Sequence, residues 1–353
     1  MTITYTLEQI KMLVPSFLRI LTILFLTIIM FSAPSYAEVK TKLASQLTEK
    51  IVQIGQQHGA PLEAAIVWPN QPAKALVVLI AGSGKMDKNE HVGPFYPFLD
   101  IANGLADQGI ASIRFDKRTF SHPEEFKNKS FTPDQEFVFD AIDATETLMK
   151  DSRNHDLPVI LLGHSQGGTI IARVAKQLNP HVKGLILFAS PSDSDLPRAA
   201  LRQMVYLQSI SPQKNQALFQ QQINQLETEI NHWENYEKTS VQSGNFPFGV
   251  SANYLQYLKN LHPTEEIKAL ALPTLVLQGG KDYNVLATKD FLEWQQVLQP
   301  LGKNVSFKLY PNLHHLFIDP DQYTSASIQH VDQTVLQDLG QWILQQTTLM
   351  PNP

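Results

Sequence analysis

The sequence predicts an α/β protein, a mainly parallel sheet covered by helices on both faces and interrupted by a helical insertion. Three observations predict it. Short apolar runs at residues 64–68, 75–80, 111–115, 159–162, 182–188, 275–278 and 305–310 are the length of buried strands. Longer amphipathic stretches separate them, and strand–helix alternation of this kind builds parallel sheets buried on both faces. Between residues 192 and 263 the rhythm stops, with no convincing buried strand. A chain of 353 residues, 43% of them hydrophobic, supplies enough apolar surface for a sizeable core.

The elements follow in order. Residues 97–107 read as a helix between the second and third runs. Residues 136–150 form another, with Phe137, Ala141, Ala144, Leu148 and Met149 on one side. The run 159–162 leads into a serine-centred turn and a helix reaching about Leu178. A closing helix spans about 327–345. Within the interruption, residues 197–237 are rich in Gln, Asn, Glu and Leu at helical spacing. They carry Met204, Leu207, Leu218, Ile223, Leu226, Ile230 and Trp233. A second part, 246–261, holds Phe246, Phe248, Tyr254 and Tyr257, with Gly244, Pro247 and Gly249 marking an irregular connection. These aromatics either pack the insertion onto the sheet or line a substrate pocket. The organisation expected is a leader at 1–37, a core of 38–191 and 264–353, and a cap of 192–263.

The leader differs in kind from the rest. Lys11 and Arg19 precede an apolar run at 20–31, and Ser35 and Ala37 supply the small residues of a cleavage site after Ala37. Export to a bacterial periplasm or beyond is expected, with no membrane span after cleavage; an uncleaved anchor is the alternative. The chain has no cysteine, so it forms no disulfide, thiolate nucleophile or thiolate metal site. Its formal net charge is −5, and the leader is itself positive, so the remainder is more acidic still. No basic run offers a footprint for nucleic acid. The histidines lack the i, i+4 spacing with glutamate of a zinc site. Gly84-Lys85 is followed by Met86 rather than a hydroxyl residue, which speaks against a nucleotide-binding loop. No metal or other cofactor is expected.

The chemistry concentrates in Gly163-His164-Ser165-Gln166-Gly167, a G-x-S-x-G between an apolar run and a helix. In that context the motif is a nucleophile elbow, a sharp turn that lifts the serine hydroxyl above the sheet. A hydroxyl is a weak nucleophile at neutral pH, so it needs a base, a carboxylate to orient the base, and donors for the oxyanion. The expected chain order is serine, acid, histidine. Asp282 follows the run 275–278 and Gly279-Gly280, and is assigned as the acid. His314 and His315 follow the run 305–310. His315 is assigned as the base, because Leu316 and Phe317 can pack behind it, with His314 as the alternative. The oxyanion donors are the backbone N–H groups of Gln166 and of Ser83, the latter in the Gly82-Ser83-Gly84 loop after the run 75–80.

These residues resemble the α/β-hydrolase superfamily, and within it bacterial secreted hydrolases of the serine aminopeptidase and acyl-thioesterase type. The resemblance covers about residue 62 to the C-terminus apart from the insertion. It includes Gly82-Ser83-Gly84 after a strand and Arg114-Phe115-Asp116-Lys117-Arg118, similar to the family's R-x-D-x-R. The family usually continues with Gly-x-Gly-x-Ser, where this chain has Thr119, Phe120 and Ser121. The resemblance implies hydrolysis of a small-molecule carboxylic ester, thioester or amide through an acyl-enzyme. Three readings stay open: a carboxylesterase-like hydrolase, an aminopeptidase or acyltransferase using the same triad, and a non-catalytic binding protein on a hydrolase scaffold. Asp116 and Arg118 are expected to pair with each other at the sheet edge, His164 to pack or bond locally, and His91 to lie on a surface loop rather than at the site entrance.

Overall fold

The computed structural model describes residues 48–127, 130–151, 157–236, 250–322 and 329–348. The expected leader lies outside these residues. Eight strands, β1 (Thr48–Ile54), β2 (Leu62–Trp68), β3 (Leu76–Ile80), β4 (Ala111–Phe115), β5 (Val159–His164), β6 (Val182–Phe188), β7 (Thr274–Gly279) and β8 (Val305–Tyr310), form one sheet. Its order is β1-β2-β4-β3-β5-β6-β7-β8. β1 and β2 are antiparallel, as are β2 and β4; every other neighbouring pair is parallel.

Residues alternate between the two faces along each strand, as the twofold strand period requires. In β3, Leu76, Val78 and Ile80 join one core and Val77 and Leu79 the other. The first core is closed by α3 (Phe139–Met149), α4 (Gln166–Gln177), α8 (Pro263–Leu270) and α9 (Leu292–Leu298) through Ala141, Ile170, Val174, Ile267 and Trp294. The second is closed by α1 (Pro97–Asp107) and α10 (Gln333–Thr348) through Phe98, Ile101, Leu105, Val335, Leu339 and Ile343. The layered architecture expected from the apolar runs is therefore present.

β1 has no counterpart in the sequence reading. Its segment TEKIVQI is mostly exposed or half-buried, the pattern of an edge strand rather than of a buried one. Glu49 on it reaches the buried Arg114 at 2.5 Å. The helix expected over 136–150 starts with a π-helical turn at Asp134–Val138, and α3 ends at Met149. The closing helix begins at Gln333 rather than near 327, and residues 327–328 lie outside the described residues.

A helical subdomain is inserted between β6 and β7. It comprises α5 (Leu196–Ile210), α6 (Gln216–Tyr236) and α7 (Ala252–Lys259). Met204, Ile223, Leu226, Ile230 and Trp233 are buried as the helical spacing predicts, whereas Leu218 is exposed. Gly244, Phe246, Pro247, Phe248 and Gly249 lie outside the described residues.

Candidate active site

From β3 the chain moves outward to β4, then returns to lay β5 on the other side of β3. The crevice above β3 and β5 is thus the point where strand order reverses, the usual ligand site of an open α/β sheet. The loop after β3 and the turn after β5 both emerge there.

Ser165 occupies that turn with φ 49° and ψ −125°, a conformation that costs a non-glycine residue strain. Its N–H donates to the Phe188 carbonyl at 2.9 Å, so the end of β6 holds the turn in place. The sharpness of the turn demands a residue without a side chain at 163. A Cβ there would lie 2.6 Å from the Gly167 carbonyl oxygen and from the Gly168 Cα. Other non-glycine residues with left-handed φ stand on the neighbouring loops: Glu90, Ala189 and Phe317.

Asp282 and His315 are brought together by the loops after β7 and β8. His315 Nδ1 lies 2.7 Å from Asp282 Oδ2. The Asp282 carboxylate is buried and receives three further donors: Gln278 Nε2 on Oδ2 at 2.9 Å, and the Asn284 and Val285 N–H groups on Oδ1 at 2.8 and 2.9 Å. This cage fixes the carboxylate so that the imidazole must orient to it. Gly279 serves close approach between the two loops, because a Cβ there would lie 2.6 Å from the His314 carbonyl oxygen. Phe317 is fully buried and its ring centroid lies 3.9 Å from that of Phe188, which anchors the histidine loop on β6.

His314 points elsewhere. Its Nδ1 accepts the Leu316 N–H at 3.0 Å, and its ring meets Phe95 edge-on. Burial, and then the neighbouring His315, push its pKa down to about 4. His91 is on an exposed loop, stacked on Tyr96.

The proposed oxyanion residues adjoin the elbow. A Cβ on Gly82 would lie 3.0 Å from the Ser165 Cβ, so the loop carrying Ser83 passes directly beside the Ser165 turn. Gln166 follows Ser165 as the first residue of α4. Its Nε2 donates to the Tyr254 hydroxyl at 3.1 Å, which in turn donates to Glu136 Oε2 at 2.5 Å. Tyr254 on α7 therefore ties the inserted helices to the elbow. Tyr257 does the same at Asp134, donating to Oδ1 at 2.5 Å.

Two expectations about charged residues need correction. Asp116 and Arg118 do not pair with each other. Asp116 Oδ1 accepts the Lys88 N–H at 2.7 Å, while Arg118 makes a two-armed contact with Asp140 and reaches Glu125. Arg118 opens a short helical turn, α2 (Arg118–Ser121), so the strand period no longer relates the two side chains and each finds a different partner. His164 packs against Phe98 and Phe188, as one half of its expectation has it, but its hydrogen bonds are not local. Its Nδ1 lies 2.7 Å from Oε1 of the buried Glu90, and its Nε2 lies 3.2 Å from the His315 carbonyl oxygen. Both partners are acceptors, so the ring donates at both nitrogens when protonated. Burial works against that charge, but the charge and hydrogen bond of Glu90 raise the pKa above the usual histidine value. Glu90 Oε1 also accepts the Gly82 N–H at 2.7 Å. One buried pair thus links the loop after β3 to the loop after β8. Sequence reasoning missed Glu90, since a glutamate in a loop reads as solvated; its only signal is its place eight residues after Gly82.

Among the described residues, no group of three or more His, Asp or Glu side chains is placed to hold a metal ion. No helix among them is long and apolar enough to cross a membrane.

The sheet order, the inserted helices and the elbow define an α/β-hydrolase. Residues 71–321 match the family described as serine aminopeptidase, S33, and the chain belongs to that family. It is 30% identical over 293 residues to esterase EstD of Thermotoga maritima, covering 81% of this chain and 66% of that protein. It is 30% identical over 122 residues to the mouse monoglyceride lipase, covering 34% of this chain and 36% of that one. The chain thus spans just under two thirds of the first relative's length and about a third of the second's. Among solved structures, an esterase of Pyrococcus furiosus superposes with a TM-score of 0.54 at 13% identity, over 89% of this chain and 95% of that one. The esterase domain of a Rhodothermus marinus protein gives 0.50 at 19%, over 84% and 98%. At these identities the likeness is one of fold.

Proposed function

We propose that this protein is an exported serine hydrolase that cleaves a small-molecule carboxylic ester or thioester through an acyl-enzyme. The observation that carries the reading is the strained Ser165 turn beside the Asp282–His315 pair, whose loop is joined to the elbow through His164. Ser165 attacks the acyl carbon as His315 takes its proton. Asp282 holds the imidazole through Nδ1 and stabilises the cation that forms. The Ser83 and Gln166 N–H groups receive the oxyanion. His315 then protonates the leaving group, and a water activated by the same base releases the acid. The buried carboxylate cage around Asp282 supports this assignment, because a base that must change charge during turnover needs a fixed counter-charge.

An ester substrate is also supported by the relatives, two of them named as an esterase and a lipase. The family description favours a second reading, in which the same groups release an amino-terminal residue from an amide. Steady-state hydrolysis of p-nitrophenyl esters from acetate to laurate, beside aminoacyl p-nitroanilides, separates the two. Wild type is expected to turn over the short esters with a burst of p-nitrophenol, and Ser165→Ala is expected to be inactive. Equal ester hydrolysis by both proteins would refute the assignment. An acyltransferase is distinguished by product analysis with competing alcohol or amine acceptors.

Export is proposed from the basic, apolar and small-residue segments of positions 1–37. Amino-terminal sequencing of protein from the periplasmic fraction is expected to begin at Glu38. Full-length chain in the cytoplasm would overturn this.

A further inference from the structure

Lys117 lies in the segment after β4, essentially without exposure to solvent. A buried ammonium is costly and persists only with good partners. Here it has three. Its Nζ donates to the Gly82 carbonyl oxygen at 2.7 Å, pairs with Glu136 Oε1 at 2.7 Å, and stands 4.0 Å from the centroid of the Phe137 ring. Acyl transfer by Ser165 and His315 assigns this cation no chemical step, and a methionine would fill its space without the desolvation cost.

We propose that Lys117 is a positioning residue for the oxyanion hole, setting the direction of the Gly82–Ser83 peptide and strengthening its N–H as a donor. The inference rests on the reading of Ser165 as nucleophile. A trans peptide is planar, with its C=O and N–H pointing opposite ways. The Gly82–Ser83 bond is trans. Fixing the Gly82 oxygen on the ammonium therefore fixes the Ser83 N–H on the other side of the same plane. The preceding N–H is fixed as well, donating to Glu90 at 2.7 Å, so residue 82 is held at both its polar atoms. Two residues on, Thr119 donates its hydroxyl to the Gly84 carbonyl at 3.2 Å, which pins the loop's far side. A cation on a carbonyl oxygen also draws charge through the amide and leaves its N–H more positive, the cooperative effect of chained hydrogen bonds in a low dielectric. That gain is largest where an oxyanion develops. Burial pulls the Lys117 pKa below the usual lysine value, and the charge and hydrogen bond of Glu136 oppose that pull.

The test compares wild type with Lys117→Met/Glu136→Gln, which removes both charges together and leaves no buried ion unpaired, and with Lys117→Gln, which retains a neutral donor. The readouts are kcat and KM on p-nitrophenyl butyrate, the inhibition constant of a boronic acid transition-state analogue, and the thermal midpoint. The double variant is expected to lose about 10- to 100-fold in kcat, less than removal of a whole oxyanion donor. Its KM should stay within about twofold, and its boronate affinity should fall in step with kcat. Lys117→Gln should lie between the two proteins. The inference is overturned if a folded double variant keeps wild-type kcat, if KM alone changes, or if kcat falls while boronate affinity stays. Ser165→Ala separates the two levels. Activity surviving that change overturns the reading beneath; activity abolished by it but untouched by the Lys117 variants overturns this inference alone.

Discussion

Compare the loops at the carboxyl ends of β3, β5, β7 and β8 with the helices α5 to α7 inserted between β6 and β7. The loops bring buried polar side chains together, Glu90 with His164 and Asp282 with His315, and the strained Ser165, with Ala189 after β6, is held by a bond to a neighbouring strand. The inserted helices bury one stripe and expose Val205, Ile210 and Leu218 on another. They join the sheet domain through the apolar side chains of Trp233, Leu255 and Leu258 and through the hydroxyls of Tyr254 and Tyr257. Reaction chemistry needs geometry held to fractions of an ångström, and a sheet edge supplies it. A cap needs only to shape access, so it tolerates looser geometry.

If that contrast is right, changes in the loops cost turnover and changes in the cap cost much less. Asp282→Asn should leave the fold intact and lower kcat by about 10⁴-fold, because the amide holds the wrong imidazole tautomer. Steady-state kinetics beside a thermal melt checks this; a loss under tenfold would detach Asp282 from the chemistry.

A second prediction concerns stability of the histidine loop. His314 has a folded pKa of about 4 against an unfolded value of 6.5, so between these values the unfolded chain binds more protons. Stability is therefore fully present above pH 6.5 and is lost as the pH falls through 4, by about 3 kcal/mol from this residue. Urea unfolding at pH 7 and pH 4 should show a smaller loss in His314→Asn, whose side-chain oxygen can still accept the Leu316 N–H. An identical slope would remove His314 from the acid sensitivity.

The smallest effect is expected at the seam between the regions. Tyr254→Phe strips Glu136 Oε2 and the Gln166 amide of a partner and should cost about 1–3 kcal/mol of stability. Its kcat should change by only a few-fold, since the Gln166 N–H is fixed by α4 itself. A loss of 100-fold would mean that the cap, too, sets the geometry of the elbow.

Much of the layered fold was legible, because buried parallel strands announce themselves as apolar runs and each chemical residue stands just past one. The candidates Ser165, Asp282 and His315 were chosen in that way, and the structure brings Asp282 and His315 together. β1 was not, since an edge strand with Glu49 and Lys50 carries no such run. Glu90 and Lys117 were missed as buried charges beside the candidate site for a related reason. A buried charge is identified by partners distant in sequence, here Gly82, Glu136 and His164, and local pattern does not reveal them. The Asp116 and Arg118 pairing failed because proximity in sequence was read as proximity in space.

The most direct test of the central claim is mass-spectrometric mapping of the adduct formed with a fluorophosphonate. A single adduct on Ser165, formed rapidly by wild type and at least about 10³-fold more slowly by His315→Ala, is the predicted result. Labelling at another residue, or equal labelling of Ser165 with and without His315, would contradict it.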